Sequence, residues 1–226
     1  MVSVVMDQAE NINLDSWNLP GNDMQRQTWA VPPRKTWRVE NKFRQTSGRG
    51  KTSTLFKRFN GHYLSIKTHR RRKELPEQVI DLTFVEPTPR EVKDYRYALW
   101  FFSVCLLILP ASVYSLVPFS PLWLGVPVVV SLILMLAAVC LRRHRFDFLA
   151  LNSDVVLFYI DALATDQEKV TAFIETVCDG IARGQRQLPV GKQRIPLAVV
   201  EMRRLAGEGV ITSGQYETIK RNWFSL

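Results

Sequence analysis

YALWFFSVCLLILPASVYSLVPFSPLWLGVPVVVSLILMLAAVCL, residues 97–141, runs for forty-five positions without one charged side chain. The turn-like Val117-Pro118-Phe119-Ser120-Pro121 divides it into limbs 97–117 and 121–141. A bilayer's hydrocarbon core, ~30 Å thick, asks for roughly 20 apolar residues per helix at about 1.5 Å each. Each limb meets that length, so a two-helix transmembrane hairpin is expected. Pro110, Gly125 and Pro127 do not oppose it, because helix interruptions are tolerated within spans. Tyr95, Tyr97 and Trp100 lie at one end and Tyr114, Phe119 and Trp123 at the turn, where interfacial aromatic belts belong.

The flanks orient the expected hairpin. Arg90, Lys93 and Arg96 precede it and Arg142, Arg143 and Arg145 follow it, whereas the turn is uncharged. The positive-inside rule then places both termini in the cytoplasm. The first ten residues lack a basic region and include Asp7, so no cleaved signal peptide is indicated. The expected location is the inner (cytoplasmic) membrane, multi-pass, with both termini cytoplasmic.

The rest of the 226-residue chain carries the whole formal charge of +9. Between residues 34 and 73 fourteen bases stand against the single acid Glu40, a local +13: Arg34, Lys35, Arg38, Lys42, Arg44, Arg49, Lys51, Lys57, Arg58, Lys67, Arg70, Arg71, Arg72 and Lys73. The remainder therefore sums to −4. Such a block is an electrostatic footprint for anionic lipid head groups or for nucleic acid. Exposed aromatics among the bases, from Trp37, Phe43, Phe56 and Tyr63, would favour nucleic acid by stacking. Aromatics turned inward would leave electrostatic attraction alone.

Strand and helix signals surround the apolar stretch. Residues 1–33 lack a sustained period and read as a disordered arm. Trp37, Val39, Asn41 and Phe43 alternate with Arg38, Glu40, Lys42 and Arg44, the pattern of a strand with one dry face. Asn60-Gly61, between runs 52–59 and 62–68, is a strong two-residue hairpin signal, because a type I′ turn needs positive φ at both positions. A strand over 79–85 follows. Two more are expected at 146–151 and 154–160, then a helix opened by Thr165 with Glu168 and striped by Val170, Phe173, Ile174, Val177 and Ile181.

Neither half has enough elements to bury a core alone, so one cytosolic β-rich domain, residues 34–96 and 142–183, is expected to be split by the apolar insertion. Strands followed by one amphipathic helix resemble, in architecture, a pleckstrin-homology-like (PH-like) domain. The expected fold class is thus an α+β membrane protein. Residues 184–194 read as a linker. Residues 195–226 read as a helical hairpin, with Thr212 and Gln215 capping its second helix. Leu205-Ala206-Gly207-Glu208-Gly209-Val210-Ile211-Thr212, then Tyr216 and Lys220, resembles the bacterial short C-terminal domain, SHOCT. That resemblance implies oligomerisation or docking, with Leu205, Ile211, Tyr216, Ile219 and Trp223 as the docking residues.

Catalytic chemistry finds little support in the sequence. Gly48-Arg49-Gly50-Lys51-Thr52 lacks the phosphate loop's earlier glycine, Gln45 standing there, and a strand rather than a helix follows. His62, His69 and His144 do not assemble a site, and Cys105, Cys140 and Cys178 show no disulfide or metal spacing. No catalytic residue, cofactor or metal is expected. The expected function is non-enzymatic binding or scaffolding at the membrane, through anionic lipid, a protein partner or self-association. A tethered nucleic-acid binder and a membrane-disrupting effector are the alternatives.

Overall fold

The computed structural model of the chain describes residues 31–46, 52–70, 73–114, 121–163 and 166–225. The expected disordered arm falls almost wholly outside these, as do Arg49, Lys51, Arg71, Arg72 and Thr165. Strands β1 (Val39–Thr46), β2 (Thr52–Phe59), β3 (Tyr63–Arg70), β4 (Lys73–Glu74) and β5 (Gln78–Asp81) form an antiparallel sheet, ordered β1-β2-β3 with β4 and β5 both on β3. Asn60, Gly61 and His62 join β2 to β3, one residue more than the expected two-residue turn, because Phe59 pairs with Tyr63; Asn60 and Gly61 take the positive φ values, 47° and 84°, that the hairpin signal implied. A second sheet, β6-β7-β8, comprises β6 (Arg90–Asp94), β7 (Arg143–Leu149) and β8 (Val156–Asp161).

Five helices complete the described residues. Helices α1 (Tyr97–Tyr114) and α2 (Pro121–Leu141) lie between β6 and β7 in the chain. Helix α3 (Gln167–Gln185) follows the second sheet, and α4 (Arg194–Gly207) and α5 (Ser213–Phe224) form the C-terminal hairpin. Thr212 caps α5 in a complete capping box with Gln215, satisfying two otherwise orphaned amides.

The expected transmembrane hairpin is corrected here. Among the described residues no helix is long and apolar enough to cross a membrane. Helix α1 is described over 18 residues, a rise of about 27 Å against a ~30 Å core. The multi-pass inner-membrane location with cytoplasmic termini rested on those spans and falls with them.

What the apolar stretch does form is a helical pair. Ser103 and Ser131 meet at its centre with their hydroxyl oxygens 2.8 Å apart, and each hydroxyl lies within donating distance of the other's backbone carbonyl, at 3.1 and 3.0 Å. Both serines are buried, as is Ala138, while Phe101, Phe102, Ile108, Leu132, Ile133 and Leu136 face outward and are exposed.

One core gathers residues from both sides of that pair. Phe43, Phe56, Leu64, Ile80 and Phe84 from the first half pack with Phe148, Phe158, Ile160, Phe173 and Val177 from the second. Phe173 stacks on Phe43 with ring centroids 4.7 Å apart and leans on Phe56 at 5.8 Å. Helix α3 approaches the turn after β5 closely, where a Cβ on Gly180 would sit 2.8 Å from Leu82 Cδ1 and one on Gly184 3.0 Å from the Thr83 Cα. Only glycine permits that approach without displacement.

Candidate anion-binding face

Strand alternation sorts the basic block. Phe43, Phe56, Leu64 and Ile66 point into the core, so their neighbours Lys42, Arg44, Leu55, Lys57 and Lys67 point to the opposite face of the first sheet. On that face Lys42 stands directly across from Lys57, and Arg44 across from Leu55, which is itself across from Lys67. Directly opposed residues have Cβ atoms about 4.5–5.5 Å apart, close enough for like charges to repel. Four cations are thus concentrated around one half-buried leucine.

The neighbouring acids neutralise only part of this charge. Glu77 is held by Arg34 and accepts from the Ser65 hydroxyl at 2.5 Å. Glu74 takes Lys67 at 3.0 Å and lies 3.4 Å from His69, and its carboxyl is lowered by the Lys67 hydrogen bond and charge and then by His69. Arg44 spends its Nε on the Ser53 hydroxyl at 3.2 Å. Among the described residues Lys42, Arg44 and Lys57 have no acid partner.

Other members of the block lie elsewhere. Arg58 points inward and is buried, donating to the Thr176 carbonyl at 2.6 Å and pairing with Glu40 at 2.8 Å, so it ties β2 to α3. Arg34, Lys35 and Arg38 border the face on the segment entering β1, whereas Arg70, opposite Thr52, and Lys73, opposite Arg70, belong to the inner face. The aromatics divide between the two faces. Phe43 and Phe56 belong to the core, while Phe59 and Tyr63, alternating with the inward residues as Lys57 and Lys67 do, lie on the outer face in a small separate cluster, where the half-buried Trp37 stacks on Phe59 at 4.1 Å with Arg34 over its ring.

The expected docking residues also face inward. Leu205, Ile211, Ile219 and Trp223 are buried in the shared core, and Tyr216 is half-buried with Lys220 over its ring. Helix α4 meets β5 through a buried polar cluster that alternation alone did not reveal. Glu201 receives Arg204 through both carboxylate oxygens, and Arg204 also donates to the Val79 carbonyl at 2.7 Å. Burial beside this cluster pushes the Asp81 carboxyl up to about 7; Glu201 pushes the same way, opposed by the Thr83 hydrogen bonds and Arg204. The arrangement couples the C-terminal hairpin to the sheet. No group of side chains able to hold a metal is found among the described residues.

Comparison with protein-family models, with curated proteins and with solved structures finds no match to this chain.

Proposed function

We propose that the chain is a non-catalytic binding protein whose first sheet presents its outer face to the phosphate head groups of an anionic lipid surface. The observation that carries this reading is the unneutralised trio Lys42, Arg44 and Lys57 on one sheet face. Phosphates are attracted by such a field over about a Debye length, each basic residue near the surface contributing ~1 kcal/mol. Burial of Phe43, Phe56 and Tyr63 leaves the half-buried Trp37, beneath Arg34, as the one partly open ring of the four, less than the run of exposed aromatics on which single-stranded nucleic acid stacks.

The test uses the full chain and vesicles with and without anionic lipid at physiological salt. Changing Lys42, Arg44 and Lys57 together to Gln should weaken sedimentation with anionic vesicles by about a hundredfold, from ~3 kcal/mol of lost attraction. Vesicles of neutral lipid should bind neither protein. Unchanged binding by the triple variant would remove the face from the account, and displacement by excess RNA that vesicles cannot reverse would make the ligand nucleic acid.

A further inference from the structure

On the opposite, inner side of the first sheet a cavity of about 450 Å³ opens, floored by Phe56 and Ile66 and walled by Thr54, Thr68 and Gln78. Its other wall is β8, which contributes the consecutive residues Val156, Leu157, Phe158 and Tyr159. Consecutive strand residues point to opposite faces, so a cavity touching four in a row lies along the edge of the strand. Strand β8 is the last in its sheet, and among the described residues no strand lies beyond it.

Hydrogen-bond parity tells which backbone groups face the cavity. Ala162 N–H donates to the His144 carbonyl at 2.8 Å. The pairs Phe146–Ile160 and Phe148–Phe158 continue that spacing, so even-numbered residues of β8 address β7. The backbone groups of Leu157, Tyr159 and Asp161 address the cavity instead. The Asp161 carbonyl confirms the direction by accepting from Gln45 Nε2 at 2.8 Å. Among the described residues no partner meets the N–H and C=O of Leu157 and Tyr159 on that side.

The rim carries a charge. Arg70 lies opposite Thr52, a lining residue, and Lys73 lies opposite Arg70, so both share the face on which the cavity opens. Both are exposed, and neither has an acid partner among the described residues. Asp161 is the single acid on the lining, and it accepts from the Leu163 amide at 3.0 Å.

We propose that this cleft receives an extended acidic segment of a partner protein, added as a strand along the free edge of β8. Main-chain hydrogen bonds to Leu157 and Tyr159 supply affinity, as in other strand additions. Alternate side chains of the segment reach the Phe56–Ile66 floor, and its carboxylates meet Arg70 and Lys73. The site lies on the other side of the sheet from the lipid-facing trio and stands independently of it.

The experiment titrates the full chain with a six-residue peptide alternating Glu and Val, with the same peptide N-methylated at every second amide, and with a Lys–Val counterpart. Amide exchange at Leu157 and Tyr159 is the readout. The Glu–Val peptide should slow exchange at both amides at least tenfold, the N-methylated and Lys–Val peptides should not, and Arg70→Glu with Lys73→Glu should weaken the effect about tenfold. Tyr159→Pro, which removes one edge donor, should abolish it, and Thr68→Trp, which fills the cleft, checks the result if that variant fails to fold. Equal protection by the N-methylated peptide, or no protection by any peptide, overturns the proposal. So does finding both amides already protected in the full chain and released by removing residues 1–30, since the occupant would then be the chain's own segment.

Discussion

Helix α3 and the α1–α2 pair are both rich in apolar residues, yet they end in opposite situations. Helix α3 carries a single stripe, Val170, Phe173, Val177 and Ile181, and buries all of it against strands from both halves of the chain. Helices α1 and α2 carry no charged residue, meet one another along a narrow seam through Ser103, Ser131 and Ala138, and leave Phe101, Phe102, Ile108, Leu132, Ile133 and Leu136 exposed. Burial therefore follows from a matched opposing surface. Apolarity without one leaves side chains exposed.

That contrast can be broken by mutation. Phe173→Ala should have the largest effect, about 3–5 kcal/mol in denaturant unfolding, because it empties a site between Phe43 and Phe56. Leu136→Ala, on an exposed position of α2, should cost under about 0.5 kcal/mol in the same assay. Comparable losses at both positions would mean that the outer surface of the pair is packed.

Gly184→Ala tests how α3 is seated. Alanine gains up to about 1 kcal/mol in helix propensity, but its Cβ would lie 3.0 Å from the Thr83 Cα. Backbone cannot yield as a flexible side chain would, so a net loss of about 1–3 kcal/mol is expected from unfolding curves. A stabilised variant would show that the helix stands further from the sheet.

The Asp81 carboxyl makes the seating of α4 pH-dependent. Its folded value, about 7, lies above the ordinary 3.8, so the folded state binds the extra proton and the stabilisation is fully present below about pH 4. It is lost as pH rises through 7. Asp81→Asn keeps the acceptor for the Thr83 amide and cannot ionise. The variant should match the parent near pH 4 and melt at higher temperature than it near pH 8; parallel pH profiles would remove Asp81 from the explanation.

The smallest effect is expected at the serine seam. Ser103→Ala with Ser131→Ala removes both hydroxyls together and should be nearly neutral, because no buried partner is stranded. A large loss would assign the seam more of the pair's cohesion.

Much of the strand pattern was legible because the chemistry is local. Asn60-Gly61 fixed one hairpin, and Thr212 with Gln215 one cap, each through contacts within a few residues. Trp37 misled. It was expected on the dry face with Phe43, but a register shift between Val39 and Asn41 inserts one residue, which reverses the side to which earlier residues point. Strand β6 escaped notice because Val92 is its single apolar residue, and its charges find partners, Glu91 with His144 and Lys93. The run 79–85 was expected to be strand throughout. It turns into a 3-10 segment at Leu82, capped by Asp81, a long-range consequence of the close approach of α3.

The apolar stretch shows the limit most clearly. Its lack of charge was visible, but hydropathy fixes neither where a helix stops nor what its outer face meets. The basic block was equally visible as a count. Which of its members share a face depended on β pairing, and that assignment separated Lys42, Arg44 and Lys57 from the buried Arg58. The free edge of β8 had no sequence signal, because a strand apolar on both faces says nothing of what lies beside it.

The account rests on residues before and after the helical pair building one domain, and the register of β6 and β7 offers a direct test. Asp94 lies opposite Arg143, so residues 95–142 can be replaced by Asn-Gly to close the two strands as an ordinary hairpin. Chemical denaturation of this shortened chain, followed both by far-UV circular dichroism and by protection of the Phe173 amide, decides the matter. A single transition shared by both probes, at a midpoint close to the parent's, is the predicted result. A chain that fails to fold, or that unfolds in two separate steps, would contradict it.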